Sequence, residues 1–229
     1  MFGVANPSPA MHTQAVEDYL KTIYDLGRTE GAVTTSALAE RLGVTPASVT
    51  GMVKKLAEAN LVTHEPYRGV ALTDAGERIA LEVIRHHRLI ETYLHEALGV
   101  PWDRVHAEAE RIEHVLSEDL EARMDAALGH PTVDPHGAPI PTLDLELTEV
   151  DVTPLAEMEA GTRGVVAEVS DHDPDLLRYV GDLGLYPETP LEVTAVAPFD
   201  GPLTVRVGDE ERTVGQKAAR YIFVTTSDS

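Results

Sequence analysis

A chain of 229 residues, 43% of them hydrophobic, is long enough for two or three small domains, each with an apolar core. Its formal net charge of −21 opposes non-specific contact with nucleic acid, and the lack of cysteine excludes disulfides and every thiolate metal site. No stretch approaches the ~20 apolar residues of a membrane span, and MFGVANPSPA has neither the basic head nor the apolar run of a secretion signal, so a cytoplasmic chain without a membrane partner is expected.

Pro7 and Pro9 predict a disordered start over residues 1–10. From Met11 to Leu26, apolar Val16, Tyr19, Leu20, Ile23 and Tyr24 recur at helical spacing, with Asp18 off that stripe. A short helix then starts at Thr35 or Ser36 as N-cap and is closed by Gly43 after Leu42. Thr45 caps the next helix with Pro46 at its first position, and this helix runs to about Ala59. Two short helices around Leu42-Gly43-Val44-Thr45 predict a helix-turn-helix, and Ser48, Thr50, Lys54 and Lys55 lie on the polar side of the second. That side is either a plain solvated face or a reading face. The strand, turn and strand of Leu61–His64, Pro66–Gly69 and Val70–Thr73 add a wing, which favours reading. Hydroxyls early in the second helix then meet base edges or phosphates in a major groove, and the lysines meet phosphates. Residues 1–75 hold six basic against eight acidic side chains, so the acidity lies mainly downstream.

Asp74 starts a long helix reaching about Leu98, and Gly99-Val100-Pro101 breaks it. The next helix is predicted from about Asp103 to Leu116. Along it His106, Glu110, Glu113 and His114 share one stripe roughly 100° wide, while Val105, Ala109, Ile112 and Leu116 face a core. The stripe is open to three readings: a solvated face of i, i+4 pairs, histidines satisfied in a partial core, or N and O donors for divalent cations. His106 and His114 are about 12 Å apart along such an axis, so two ions are implied. The lower one takes Glu110, Glu113 and His114, the upper one lies near His106, and His87, Glu91 and Asp18 are further donors. Ser117 to Leu128 gives one more helix, and an all-α block with a wide apolar face predicts a homodimer.

Gly129, Pro131, Pro135, Gly137, Pro139, Pro141 and Pro154 mark an ordered loop followed by a linker. Beyond it, alternating runs at Gly164–Val169, Leu191–Val196, Leu203–Val207, Arg212–Val214 and Tyr221–Val224, with a helical insert at Asp175–Leu183, predict a small SH3-like β-barrel. The predicted class is mainly α with small β. Residues 1–75 form a winged helix-turn-helix, 76–143 a helical metal-binding and dimerisation domain, 144–153 a linker and 154–229 the barrel.

Several stretches together carry a resemblance: Glu17–Leu26, Val49–Leu56, Tyr67-Arg68-Gly69, His87–Glu91, Val105–Ser117 and Pro135–Pro141. Over nearly its whole length the chain resembles the diphtheria toxin repressor family of iron- and manganese-dependent transcriptional regulators, and its last domain is similar to the module of ferrous-transport accessory proteins. The resemblance implies a primary metal site of Asp18, Glu110, Glu113 and His114. Iron-sensing members place a sulfur ligand where Glu110 stands and Met where Asp18 stands. Two carboxylates there, a harder donor set, favour Mn(II), with Fe(II) as the alternative. His87, Glu91 and His106 match the ancillary ligands, completed by a carboxylate of the barrel, for which Asp173 is the candidate, although Leu176 replaces an amide ligand. A variant arrangement would use Glu91, His136 and a C-terminal acid, with His136 equally readable as a loop residue capping a turn. Lys21 replaces a second helix-1 Glu of the manganese regulators that lack the barrel, which speaks against their binuclear centre.

On the DNA side, Gly51 replaces a Gln that reaches the duplex, so specificity shifts to Thr45, Ser48, Thr50 and DNA shape, with Lys54 and Lys55 on phosphates and Arg68 as a further DNA-binding residue. The function implied is a metal-dependent repressor or regulator of metal homeostasis genes that binds double-stranded operator DNA, and not an enzyme. The alternatives are a winged-helix regulator of a non-metal effector, or a metallohydrolase with Glu110 or Glu113 as base.

Overall fold

The computed structural model describes residues 13–30, 32–65, 69–148 and 150–226. The start predicted to be disordered and the turn Pro66-Tyr67-Arg68, which holds the candidate DNA-binding arginine, lie outside the described residues. The chain divides into two compact units, residues 1–85 and 86–229.

The first unit begins with α1 (Gln14–Glu30), α2 (Thr35–Leu42) and α3 (Pro46–Glu58). Strands β1 (Val62–Glu65) and β2 (Gly69–Leu72) follow, and then the first turns of α4 (Asp74–Glu96). The cap of α2 is Thr34, one residue ahead of the predicted choice: its hydroxyl accepts from the Ala37 N–H at 3.1 Å, and Gly43 ends the helix in the left-handed region. Thr45 caps α3 as predicted, accepting from the Ser48 N–H at 3.2 Å, with Pro46 next. Val49, Val53 and Leu56, at i, i+4 and i+7, are buried against Leu20, Ile23, Leu26 and Leu38. Each fully buried side chain of this kind contributes roughly 1.5–3 kcal/mol. That packing leaves the opposite face of α3 to solvent. Strands β1 and β2 pair antiparallel from Val62↔Leu72 to Glu65↔Gly69, and Val70 donates to the Val33 carbonyl at 2.8 Å, which seats the hairpin beside the start of α2. This is a winged helix-turn-helix.

In the second unit, α4 continues into a block with α5 (Trp102–Ile112) and α6 (Glu118–Ala127). The prediction of one helix to Leu116 fails here. The α-helix ends at Ile112 (φ −126°, ψ −10°), Glu113–Val115 form a 3-10 turn, and Leu116 is extended. Ser117 then caps α6, accepting from the Leu120 N–H at 3.4 Å, with extended backbone as a capping residue requires. The stripe from His106 to His114 is therefore not a single helix face, and Ile112, expected in the core, is 42% exposed.

The barrel is a six-stranded antiparallel sheet in the order β3-β8-β4-β5-β6-β7. Its strands are β3 (Thr153–Pro154), β4 (Arg163–Val169), β5 (Pro190–Val196), β6 (Leu203–Val207), β7 (Glu210–Val214) and β8 (Ile222–Thr226). Helix α7 (Pro174–Asp182) is the predicted insert, whereas β3 and the short α8 (Gln216–Ala219) are additions to the prediction. Trp102, from α5, is buried in the barrel's own core with Leu177, Val180 and Leu185. Arg178 of α7 donates to Asp103 at 2.9 Å, and the Val169 N–H donates to the His136 carbonyl at 2.9 Å. Helix α5, the loop after α6 and the barrel thus pack directly against one another.

Gly137 allows the last of these contacts. Its φ is +89°, and a Cβ there would lie 1.9 Å from the Ala167 carbonyl oxygen of β4. Gly137→Ala is expected to destabilise the chain by about 1–3 kcal/mol, read as a lower midpoint of thermal unfolding. An unchanged midpoint would show that the loop does not need this close approach.

Candidate metal centre

Glu91 is wholly buried on α4, one turn after His87, and three imidazoles surround it. Its Oε1 lies 3.0 Å from His87 Nε2 and 3.3 Å from His106 Nδ1; its Oε2 lies 3.7 Å from His136 Nδ1. His106 Nδ1 is also 3.1 Å from His87 Nε2 and 3.1 Å from Asp171 Oδ2. One nitrogen of His106 therefore faces two carboxylates and another imidazole nitrogen, more neighbours than one N–H can serve. Metal–ligand bonds of about 2.0–2.3 Å place neighbouring donors about 3 Å apart, the separation found here.

The tautomers agree. His136 Nε2 donates to the Trp102 carbonyl at 2.8 Å, which leaves Nδ1 as the lone-pair nitrogen facing Glu91. Nδ1 of His136 and Oε2 of Glu91 are buried and have no hydrogen-bond partner among the described residues. On the far side of His87, Nδ1 contacts Glu113, so Nε2 is the nitrogen presented to Glu91. His87, Glu91, His106 and Asp171 each have a donor atom within 4.8 Å of the others' donors, as do Glu91, Asp134 and His136, and as do His87, Glu110 and Glu113. The donor set is oxygen and imidazole nitrogen, suited to Mn(II), Fe(II) or Zn(II).

Charge is balanced inside the cluster. Burial would raise Glu91, yet His87, His106 and His136 hold it well below the usual carboxylate range. Burial would likewise lower His106, but hydrogen bonds to Asp171 and Glu91 push it up to about 10. His136, depressed by burial, is carried up to about 9 by Glu91 and Asp134. Asp134 rises to about 7, by burial first and then by the charge of Glu91. Asp171 is held well below its ordinary value by His106 despite the cost of burial. Where His106 or His136 is protonated, a cation can take that imidazole only as the proton leaves.

Of the predicted residues, the structure brings together His87, Glu91, His106 and His136 in this cluster. Asp173 is not among them: its Oδ1 accepts from the N–H groups of Asp175 and Leu176 at 2.9 and 3.3 Å, as N-cap of α7. Asp171, two residues earlier, supplies the barrel's carboxylate instead. The spacing contained the signal, because an Asp directly before a Pro that opens a helix is committed to capping. Asp134 was also missed; it accepts from the N–H groups of His136 and Ala138 at 2.7 and 3.0 Å and so shapes the loop. Glu110 is half-exposed, 3.9 Å from both His87 Nδ1 and His106 Nε2, and His114 Nε2 is 3.4 Å from Glu113. Asp18 is half-buried on α1, in the first unit.

Three family models cover the chain: iron dependent repressor, N-terminal DNA binding domain, over residues 11–70; iron dependent repressor, metal binding and dimerisation domain, over 73–142; and the FeoA domain over 153–226. The iron-dependent repressor IdeR of Mycobacterium tuberculosis (strain ATCC 25618 / H37Rv) is 35% identical over 221 residues, 91% of this chain and 95% of that protein. The chain belongs to the iron-dependent repressor family. Among solved structures similar to this member of the family, a manganese-dependent transcriptional repressor in complex with manganese has a TM-score of 0.88 at 40% identity, covering 93% of this chain and 100% of that one. ScaR with bound Cd2+ has a TM-score of 0.80 at 33% identity, covering 92% and 98%.

The DNA-binding domain matched by the family carries its polar residues on the open side of α3. Thr45, Ser48, Thr50, Lys54 and Lys55 are all exposed. All three hydroxyls are already engaged locally: Thr45 caps the helix and lies 2.9 Å from the Ser48 hydroxyl, and Thr50 donates to the Pro46 carbonyl at 2.9 Å. Lys54 lies 3.9 Å from Glu58, a pair that water screens.

The assignment of Asp171 over Asp173 is testable. Asp171→Asn is expected to weaken Mn(II) binding at least about tenfold, since losing even a supporting group costs 10–100-fold. Asp173→Asn, which preserves a capping oxygen, should leave it unchanged. Isothermal titration of both variants decides, and the reverse order would return the role to Asp173.

Proposed function

We propose that the chain is a manganese-responsive DNA-binding repressor, with Fe(II) as an alternative effector, acting on metal homeostasis genes in the cytoplasm as a homodimer on double-stranded operator DNA. The observation that carries this is the buried convergence of His87 Nε2, Glu91 Oε1, His106 Nδ1 and Asp171 Oδ2, in a chain whose other unit exposes the polar face of a helix-turn-helix. Similar proteins are manganese-dependent and iron-dependent repressors by name, which supports the same reading. We assign the functional domains to residues 1–75, 76–143 and 154–229, joined by 144–153.

In this reading Asp18, Glu110, Glu113 and His114 form the primary site, and His87, Glu91, His106, Asp171 and His136 the ancillary one. A bound divalent cation supplies the positive charge that lets several carboxylates and neutral imidazoles share one small volume. Asp18 comes from the reading unit, whereas Glu110, Glu113 and His114 come from the helical block. When these side chains converge, they restrict the angle at which the reader is held. Two readers of a dimer must meet half-sites about 34 Å apart, or a multiple of that. Shifting such an equilibrium from 1:99 to 99:1 takes about 5.5 kcal/mol of preference, within reach of several bonds made in one geometry only. Thr45, Ser48 and Thr50 then face base edges or phosphates, and Lys54, Lys55 and Arg68 face phosphates. Leu98 and Ile112, exposed at 62% and 42%, line an apolar groove with Leu94, Val100 and Pro101, a surface suited to the partner subunit.

DNA fragments selected by the parent chain from a random pool with Mn(II) present provide the probe. Asp18→Ala is expected to remain a folded dimer by size-exclusion light scattering while losing Mn(II)-dependent binding in gel shifts. Undiminished Mn(II)-dependent shifts by that variant would refute the proposed role. Lys54→Ala and Lys55→Ala are each expected to weaken binding similarly on all selected sequences and to lower the slope of log affinity against log salt by about 1. A sequence-selective loss would instead place that lysine on a base.

A further inference from the structure

Glu113 occupies an unusual position for a ligand assigned to the lower site. It has no exposed surface, it begins the 3-10 turn rather than continuing α5, and its carboxylate reaches across to α4. There Oε2 contacts His87 Nδ1, while Oε1 lies 3.4 Å from His114 Nε2. One carboxylate therefore touches an imidazole of each cluster.

We infer that Glu113 is a positioning residue for His87 and thereby ties the ancillary cation position to the primary one. This inference rests on the reading of His87, Glu91, His106 and Asp171 as cation ligands. An imidazole has two nitrogens on opposite sides of its ring. With Nδ1 anchored on Glu113 as a donor, Nε2 is the lone-pair nitrogen and points at Glu91 Oε1 and His106 Nδ1, 3.0 and 3.1 Å away. A ligating histidine depends on such an acceptor for its tautomer, its orientation and its basicity. His87 is 3% exposed, so no water replaces the carboxylate without rearrangement. His136 shows the same device with a different acceptor, the Trp102 carbonyl. The two cation positions are consequently not independent, since whatever moves Glu113 changes the aim of His87.

The opposing arrangement is a cation held by His87 Nδ1, Glu110 and Glu113, whose donor atoms also lie near one another. In that case His87 Nδ1 is itself a ligand, and Glu113 does not orient it.

The chain's single tryptophan provides the readout. Trp102 stacks on His136 with ring centroids 5.8 Å apart, so paramagnetic Mn(II) or Co(II) at the Glu91 cluster quenches its fluorescence. The full chain and its Glu113→Ala, Glu113→Gln and His114→Ala variants are titrated with Co(II) and with Mn(II), following Trp102 emission, the Co(II) visible spectrum and the bound cation after dialysis. His114→Ala is expected to retain one cation fewer and to weaken the Trp102-reported affinity less than either Glu113 variant does, because it removes a neighbour of Glu113 but leaves the Glu113–His87 contact in place. Glu113→Ala should weaken that affinity about 10–100-fold and alter the Co(II) spectrum. Glu113→Gln should fall between them, because its amide oxygen still accepts from Nδ1 without the charge. Thermal unfolding checks that the variants fold, and the near-isosteric Gln variant carries the test if the Ala variant does not. Parental Trp102-reported affinity in both Glu113 variants overturns the link, as does an equal loss in His114→Ala. A parent chain that retains no cation overturns the underlying reading as well.

Discussion

Glu91 carries a carboxylate with no exposed surface, and an isolated buried charge of that kind costs several kcal/mol. The second unit is arranged so that this charge is never isolated. Helix α4 brings His87 one turn away, α5 brings His106, the loop after α6 brings His136, and the segment between β4 and α7 brings Asp171 to the same nitrogen of His106 that faces Glu91. Four separate parts of the chain must be in register for the cluster to close, so any disturbance of their packing is felt there. Trp102 in the barrel core and Gly137 against β4 contribute to the site in this way without being ligands.

The cluster's chemistry follows from what the chain lacks as much as from what it holds. Without cysteine, every donor is a carboxylate oxygen or an imidazole nitrogen, and such a set binds divalent first-row cations without a preference for soft ones. The net charge of −21 attracts cations and repels duplex DNA, while the first 75 residues come close to balance. The chain therefore separates cation attraction from DNA contact along its length. The two lysines of α3 stand on the exposed face of the unit where acidity is least.

The sequence was most legible where a local rule decides the outcome. Thr45-Pro46 before a helix, Gly43 after one, and alternating apolar runs between Gly and Pro clusters each specify local geometry, and the elements built on them formed as expected. The donors on α4 and α5 were legible through their i, i+4 spacing. Illegible were features set by competition between neighbours. Helix α5 gives way at Ile112 to a 3-10 turn, in which Glu113 contacts His87, and Ile112 is exposed, none of which the helical spacing encodes. Asp173 was claimed by α7 as a cap, which left the cluster to Asp171. The burial of Trp102 in the barrel depends on tertiary packing that periodicity does not encode.

The central claim is that the Glu91 cluster is a cation site rather than a structural network of ion pairs. Crystals of the full chain grown with Mn(II), measured on both sides of the manganese absorption edge, locate the ion directly. An anomalous peak is predicted within bonding distance of Glu91, His106 and Asp171. Crystals holding manganese elsewhere, with Glu91 still paired to His87 and His106 and no peak between them, would contradict the account.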